Sequence, residues 1–332
     1  MTFQALVSAA NAAGGVTSTV RTLETAALPD GDVLVAVEWA GLNYKDAMCL
    51  AGRGNLVRTY PHVAGIDFSG RVVESSHARY RPGQAVVLTG WRVGELRWGG
   101  YAQRARVEAG MLVALPKKLT TREAMVLGTA GLTAMLAINK LKSAGLTPGS
   151  EILVTGAAGG VGSIAVMLLA RLGYKVAAVT GRPELADHLM ELGATSIVPR
   201  AELLANSGKL LDKERWAGAV DMVGGPLLAE VLKKIAYGGA VAAVGMAGGT
   251  DLPTSVIPFI LRGVSLIGID SVMQPYEARV AAWERLAALF VPSAYEALVR
   301  EAGLADLPEL AVQLLAGTIA GRVIVNPRDD QP

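Results

Sequence analysis

The sequence is poor in thiol and imidazole groups. Among its 332 residues there is one cysteine, Cys49, and there are three histidines. One cysteine forms neither an intramolecular disulfide nor a cysteine-rich zinc site, and a lone thiol is consistent with a reducing cytosol. The histidines stand far apart along the chain, without the spacing of metal ligands, at His62, His77 and His188. The sequence therefore predicts no metal site.

The chain also lacks a strong charge of either sign. Lys plus Arg total 31 and Asp plus Glu total 29, which leaves a net charge of +2. This balance gives no electrostatic attraction toward nucleic acid or an anionic membrane surface. The first fifteen residues have no basic stretch before their apolar part, so we expect no secretory signal. These features predict a cytoplasmic protein whose partners are small molecules.

What the chain has in abundance is apolar residues, 52% of the total, and glycine, with 39 residues. Its length fits two domains. From Glu151 onward, short apolar runs alternate with helical patterns, which is typical of a doubly wound parallel sheet in an α/β domain. The predicted strands are 152–155, 175–180, 219–223, 240–244 and 264–269, and the predicted helices are 161–172 and 184–192.

The first 120 residues have a different pattern, which is typical of β-structure with loops. Alternating or apolar strands are predicted at 32–39, 70–74 and 85–88, followed by a long apolar helix over 124–141 with Thr120 or Thr121 as its N-cap. A helix near 309–315 and a strand at 321–325 are expected to return to the N-terminal domain. The predicted division is a mostly-β domain of residues 1–123 and 292–332, with a Rossmann domain of residues 124–291 inserted in it.

The strongest local motif is the glycine-rich segment Thr155-Gly-Ala-Ala-Gly-Gly-Val-Gly162, which has the spacing GxxGxxG. It follows a predicted strand and opens a predicted helix. Bare backbone lets a pyrophosphate approach, and the helix N-terminus offers free N–H groups and a partial positive charge. The alternative is a purely structural turn. The context favours a dinucleotide site, with contacts at Gly159, Gly160, Val161 and Gly162.

The end of the second strand indicates which dinucleotide binds. An NAD site places an acidic residue there for the ribose hydroxyls, whereas this strand ends Thr180-Gly181-Arg182. A hydroxyl and a guanidinium suit the 2′-phosphate of NADPH. Arg200 is a second candidate for that phosphate. The alternative for both arginines is simple solvation. The predicted cofactor is NADPH.

Four segments outside the Rossmann unit carry further information: Gly41-Leu-Asn-Tyr-Lys-Asp46, Gly65-Ile-Asp-Phe-Ser-Gly70, Thr89-Gly-Trp91 and Trp98-Gly-Gly-Tyr-Ala102. Three more are Gly128-Thr-Ala-Gly131, Pro258-Phe-Ile-Leu-Arg262 and Gly268-Ile-Asp-Ser-Val-Met273. Together with the glycine loop, the first four resemble the medium-chain dehydrogenase/reductase superfamily, including its zinc-independent quinone oxidoreductases, and the other three resemble its acrylyl-CoA reductase branch. The resemblance implies a GroES-like catalytic domain, an active site facing the nucleotide domain, and a homodimer formed through strand 264–269.

The resemblance also implies site residues. Tyr44 would lie beside the nicotinamide, bonding the ribose or delivering a proton. Asn43 would orient the substrate or the turn, and Asp46 would take part in catalysis or, paired with Lys45, hold the turn. The remaining cofactor contacts implied are Gly245, Ile269, Ser271 and Arg322.

Zinc-dependent relatives carry a Cys near Asn43-Tyr44 and a Gly-His-Glu segment, where this chain has Gly65-Ile66-Asp67. Without a metal, an activated C=C bond is easier to reduce than a simple ketone. The expected reaction is reduction of acrylyl-CoA to propionyl-CoA, and loop arginines could meet the CoA phosphates. The alternatives are NADPH:quinone reduction and a non-catalytic NADPH-binding protein. The loop arginines are Arg53, Arg58, Arg92 and Arg97.

Overall fold

A computed structural model describes residues 1–12, 14–205 and 208–328. The strands in chain order are β1 Thr2–Ala10, β2 Val16–Glu24, β3 Val33–Leu42, β4 His62–Val63, β5 Asp67–Ser75, β6 Ala85–Thr89, β7 Arg104–Val107, β8 Leu112–Ala114, β9 Glu151–Val154, β10 Lys175–Thr180, β11 Ser196–Pro199, β12 Trp216–Asp221, β13 Ile235–Ala243, β14 Ser265–Gly268, β15 Val299–Ala302 and β16 Arg322–Val325. The helices are α1 Tyr44–Leu50, α2 Thr121–Ser143, α3 Gly160–Arg171, α4 Ala186–Glu191, α5 Arg200–Leu204, α6 Gly225–Leu232, α7 Ile257–Arg262, α8 Tyr276–Leu289, α9 Pro292–Tyr295 and α10 Leu307–Leu315.

One compact unit consists of Met1–Thr129, Ser271–Ala288 and Glu296–Pro332. It contains an antiparallel sheet of order β2-β1-β4 and a seven-stranded sheet of order β15-β16-β3-β5-β6-β8, in which β7 also pairs with β3. Strand β16 pairs antiparallel with β3, so that Val323 faces Leu42. The C-terminal strand therefore returns to the N-terminal part of the chain, as the sequence predicts. This unit is the GroES-like, mostly-β domain.

The second unit consists of Ala130–Asp270 and Leu289–Tyr295. Its six strands are all parallel, in the order β11-β10-β9-β12-β13-β14. Strand β9 lies in the middle, and its residues Ile152, Leu153 and Val154 are fully buried. The order reverses at β9 because β10 leads to one side and β12 to the other, which is the Rossmann arrangement. The predicted strand 152–155 and helix 161–172 are confirmed as β9 and α3.

Helix α2 is the one helix among the described residues that is long and apolar enough to cross a membrane. Its most apolar stretch is 83% buried inside the protein, which is how a core helix of a globular protein behaves. Gly128 interrupts it with φ 50° and ψ −150°, so α2 is two helical segments joined by a kink. The predicted helix over 124–141 is confirmed, with this break inside it.

The compact units differ from the predicted division in one main segment. Ser271–Ala288 belongs with the mostly-β unit, because Arg279 of α8 is 1% exposed and binds main-chain oxygens of that unit. Its Nη1 donates to the Thr89 carbonyl at 2.6 Å, and its guanidinium stacks 4.6 Å above the Trp91 ring. The division into 1–123 plus 292–332 and 124–291 stays a proposal about domains.

Candidate active site

The glycine loop of the second unit is built so that two main-chain segments touch. A Cβ on Gly162 would lie 2.3 Å from the Gly156 oxygen, so only glycine lets α3 begin this close to the end of β9. Gly156 itself has φ 56°, a left-handed conformation. Helix α3 begins after Gly159, and the N–H groups of its first turn have no intrahelical acceptor. The loop therefore presents bare backbone and free donors, which fits a pyrophosphate.

The predicted phosphate-binding residues come together at the carboxyl end of β10. The Thr180 hydroxyl accepts the Arg182 N–H at 3.0 Å, and Arg182 Nη2 donates to the Ala158 carbonyl of the glycine loop at 3.3 Å. Strand β11 runs parallel beside β10, which places Arg200 so that a Cβ on Gly181 would lie 3.6 Å from its Cδ. Two guanidinium groups and one hydroxyl thus surround this strand end, an arrangement that fits a ribose 2′-phosphate.

Gly245 and Ile269 lie at the same edge of the parallel sheet. The Gly245 N–H donates to the Asp221 carbonyl, and a Cβ on Gly245 would lie 2.6 Å from the Met222 oxygen. The Ile269 N–H donates to the Ala243 carbonyl at 3.0 Å. These positions hold the strand ends β12, β13 and β14 together. Ser271, the other predicted cofactor contact, belongs to the mostly-β unit, where its carbonyl accepts from Arg279.

In the mostly-β unit the predicted residues Asn43 and Asp46 are in direct contact at the start of α1. Asp46 is fully buried, and its Oδ2 accepts from the Asn43 N–H at 2.9 Å and from the Asn43 amide at 3.1 Å. Its Oδ1 accepts from the Ile66 N–H at 2.8 Å. This is the reciprocal capping that fixes a helix N-terminus. Full burial favours the predicted role in holding the turn over the catalytic role, and both stay predictions.

Asp67 joins this cluster, although no sequence signal singled out its carboxylate. Its Oδ1 accepts from the Asn43 amide at 3.0 Å, and its Oδ2 accepts from the Thr129 N–H, just after the α2 kink, at 2.6 Å. Gly41 and Gly128 make room for it, since a Cβ at either position would lie within 2.8 Å of both Asp67 and Arg322. Asp67 therefore connects β3, α1 and α2 through one buried carboxylate.

Arg322 is 3% exposed, and its guanidinium faces protein acceptors. Nη1 donates to Asn43 Oδ1 at 2.9 Å, and Nε donates to the Val126 carbonyl at 3.1 Å. Nη2 donates to the Met125 carbonyl at 3.3 Å. The geometry makes Arg322 the residue that fixes the orientation of the Asn43 amide. A direct contact between Arg322 and the cofactor stays a prediction.

Tyr44 is the exposed member of this group. It is the first residue of α1, and 47% of it is exposed, whereas Asn43 is half-buried and Asp46 is enclosed. The expected ion pair between Lys45 and Asp46 is wrong. Lys45 Nζ pairs with Glu95 at 3.1 Å, because neighbouring side chains on a helix point to different faces. Tyr44 is thus the side chain of the cluster that a ligand can reach.

Family comparisons agree with this architecture. Residues 29–117 match the alcohol dehydrogenase GroES-like domain family, and residues 160–288 match the zinc-binding dehydrogenase family. Acrylyl-CoA reductase AcuI of Ruegeria pomeroyi is 57% identical over 98% of this chain and 99% of its own. The chain belongs to the medium-chain dehydrogenase/reductase superfamily.

Two further members of the superfamily resemble the chain over nearly its whole length. The YhdH oxidoreductase of Salmonella enterica, solved in complex with NADP, has a TM-score of 0.94 and 49% identity, covering 98% of this chain and 100% of that one. Bacillus subtilis YhfP, which carries the provisional name quinone oxidoreductase, is 46% identical over 97% of this chain and 98% of its own. Its structure with NAD bound has a TM-score of 0.93 and covers 98% of this chain and 99% of that one.

The second family name implies zinc, but the donors of this chain do not fit it. Among residues 1–12, 14–205 and 208–328, no three His, Cys, Asp or Glu side chains are grouped to hold a metal ion. Cys49, the one cysteine, is buried, and burial raises the pKa of its thiol to about 12. His62 bonds the Gly94 carbonyl through Nε2. The cation of the Asn43 cluster is the guanidinium of Arg322, which donates to Asn43 Oδ1.

The buried Asp46 carboxyl predicts a pH-dependent stability. Burial and the neighbouring Asp67 raise its pKa to about 7, against hydrogen bonds from Ile66 and Asn43 that lower it. Because the folded pKa lies above the unfolded value of 3.8, the folded protein binds more protons between these pH values. Stability should therefore fall as the pH rises from 5 toward 7, by ~2 kcal/mol from this group.

Asp46→Asn should remove that part of the pH dependence. Urea unfolding of both proteins at pH 5, 6 and 7 would measure it, with the difference between their free energies of unfolding changing across the series. A difference that stays constant with pH would contradict the raised pKa.

Proposed function

We propose that the protein uses NADPH to reduce an activated C=C bond, with acrylyl-CoA as substrate and propionyl-CoA as product. The observation that carries the cofactor choice is the pair of guanidinium groups, Arg182 and Arg200, at a strand end that offers no carboxylate. The substrate choice is supported by the 57% identity to an acrylyl-CoA reductase over the full chain. The segments that carry the resemblance are present in this sequence.

Different residues of the chain would bind the cofactor, deliver the proton and position Tyr44. The glycine loop, Gly159 to Gly162, would hold the pyrophosphate, and Thr180, Arg182 and Arg200 would hold the 2′-phosphate. Bound NADPH would supply the hydride that reduces the C=C bond. Tyr44 would hydrogen-bond the cofactor ribose or deliver the proton that completes the reaction. Asn43, Asp46 and Arg322 would keep the start of α1, and with it Tyr44, in place.

The first experiment measures oxidation of reduced nicotinamide by the purified protein at the nicotinamide absorbance band. NADPH and NADH are each combined with acrylyl-CoA and with a simple quinone. Rapid oxidation of NADPH by acrylyl-CoA alone is the expected result. Oxidation only by the quinone would assign the protein to the second candidate activity, NADPH:quinone reduction, which the similarity to YhfP favours. No turnover with any pair would favour a non-catalytic NADPH-binding protein.

Tyr44→Phe tests the role of the exposed phenol. The ring stays, so the substitution removes only one hydrogen-bonding hydroxyl. We expect kcat/KM for acrylyl-CoA reduction to fall about tenfold, the loss of one hydrogen bond of ~1.4 kcal/mol. Steady-state kinetics with both substrates varied would measure it. Tyr80→Phe is the control, because that hydroxyl bonds the buried Leu112 carbonyl elsewhere in the unit. Unchanged turnover in Tyr44→Phe would remove Tyr44 from the site.

We also propose a cytoplasmic homodimer that pairs through β14. This strand is at the end of the parallel sheet in the described chain, so one side of it has no strand partner there. The preceding helix α7 and the residue before it have exposed apolar side chains: Val256, the N-cap, is 65% exposed, Ile260 67% and Leu261 59%. Light scattering should give twice the chain mass of 34.4 kDa, and Ile260→Glu should halve it. Met190→Glu, an exposed apolar position outside α7, should stay dimeric.

A further inference from the structure

A cavity of about 180 Å³ opens at the far end of α1 from Tyr44. Its walls come from the β1–β2 turn at Gly14 and Gly15, from the end of α1, and from the loop that carries Arg53 and Tyr60. All of these belong to the mostly-β unit. The cavity has room for several waters, or for a phosphate group with part of its solvation. The Asn43 cluster does not use this cavity.

The backbone of Arg53 is fixed by the way α1 ends. Gly52 is left-handed with φ 64°, and its N–H donates to the Cys49 carbonyl at 3.1 Å. The Arg53 N–H donates to the Met48 carbonyl at 2.8 Å. These two bonds form a Schellman motif, which closes a helix C-terminus and uses carbonyl oxygens that would otherwise repel an anion. The start of the arginine side chain is therefore held at the mouth of the cavity.

The lining of the cavity carries one formal positive charge, on Arg53. Arg53 is the only charged residue among the described residues that line it, and no described carboxylate forms an ion pair with it. Asn55 and Tyr60 add an amide and a hydroxyl to the lining. By contrast, Arg92 pairs with Glu95, and Arg97 pairs with Glu108. A free guanidinium beside neutral hydrogen-bonding groups suits an anion with several oxygens, such as a phosphate.

The outer face of α1 connects this cavity to Tyr44. Tyr44, Met48 and Ala51 follow one another at helical spacing, and none of the three is fully buried. The Met48 side chain lies against Gly54, where a Cβ would be 2.7 Å from its Cε. From Tyr44 to Gly52 the helical rise covers ~12 Å. This uncharged stripe suits the pantetheine arm of a CoA thioester, a chain of two amides and short alkyl segments that is long enough for that span.

We propose that this cavity is the site for a phosphate group of the CoA moiety, with Arg53 as its ligand and the α1 stripe as the track for the pantetheine arm. The inference rests on the proposed function, since it assumes a CoA thioester whose acyl end lies at Tyr44. It assigns Arg53 to substrate binding and leaves the chemical step to other residues. Binding affinity for the whole thioester, and not turnover of its acyl end, is what Arg53 sets.

The test combines a variant with a shortened substrate. Arg53→Gln and wild type are compared with acrylyl-CoA and with S-acrylyl pantetheine, which has the same acyl end and no phosphate. Arg53→Gln should raise the KM for acrylyl-CoA about tenfold, the loss of one charged hydrogen bond. Its kcat, its KM for NADPH and its KM for S-acrylyl pantetheine should match those of wild type. Arg58→Gln is the matched control, because Arg58 is also exposed in the same loop but does not line the cavity.

Each result supports or overturns the subsite. A rise in KM for both thioesters in Arg53→Gln would show a structural effect, and an equal rise in Arg58→Gln would show general attraction by loop charge. Either one overturns the proposal, as does no change in Arg53→Gln. If wild type reduces both thioesters but Arg53→Gln changes the two KM values equally, the phosphate subsite is refuted and the proposed function stands. If wild type reduces neither, the proposed function itself fails.

Discussion

Replacing Arg182 by glutamate should raise the KM for NADPH about a hundredfold or more, while the KM for NADH changes by less than about threefold. The arginine lies at the carboxyl end of β10, next to the Thr180 hydroxyl and bonded to the glycine loop. Its loss removes one charged hydrogen bond to the 2′-phosphate, of ~1.5–3 kcal/mol, and the new carboxylate repels that phosphate. NADH has a hydroxyl there and meets neither penalty.

The measurement is steady-state kinetics with each nicotinamide at a saturating acceptor concentration. Arg171→Glu makes the same change of charge at an exposed position at the end of α3 and should leave both KM values as in wild type. If Arg182→Glu weakened NADPH and NADH equally, the 2′-phosphate role would be refuted. Arg200→Gln should show the same selectivity with a smaller effect, since Arg200 is more exposed.

Arg322→Leu should lower the free energy of unfolding by ~3–5 kcal/mol, the usual cost of removing one partner from a buried charged cluster. The guanidinium supplies hydrogen bonds to the Met125 and Val126 carbonyls and to the Asn43 amide oxygen. Leucine fills part of the space but donates no hydrogen bond. The acceptors stay buried without a donor, and Asp67, which lies against the same two glycines as the guanidinium, loses the positive charge near it.

Urea unfolding followed by circular dichroism would measure this change. Arg300→Leu is the control, because Arg300 pairs with Val323 in the same sheet but its side chain is exposed. That control should change stability by less than ~0.5 kcal/mol. An Arg322→Leu protein as stable as the control would show that the cluster contributes little to folding.

The local sequence pattern was sufficient to predict the strand, turn and helix that are proposed to hold the nucleotide. A buried strand, a glycine-rich turn and a helix follow one another within about twenty residues, so their chemistry could be inferred without knowledge of tertiary structure. The confirmed bounds are Glu151–Val154 for β9 and Gly160–Arg171 for α3. The proposed phosphate position rests on the same logic, because Thr180 and Arg182 lie at the end of the next strand.

Contacts between distant segments could not be predicted in the same way. Strand β11, which sets Arg200 beside Gly181, is four residues long and ends in proline, so it has no clear strand pattern. Asp67 reaches Asn43 and Thr129 across 24 and 62 residues. Arg322 is held largely by main-chain carbonyls. Every residue has such a carbonyl, so the sequence does not indicate which ones accept from Arg322. For these residues the tertiary fold supplies the partners.

The burial of Cys49 has a practical consequence. It is the chain's single thiol and is 2% exposed, with a pKa raised to about 12. Oxidants and alkylating reagents react with exposed thiolates, so the native protein should resist them and should not form disulfide-linked aggregates during storage. Slow labelling of this one sulfur would then report how often the region around α1 opens, without any engineered probe.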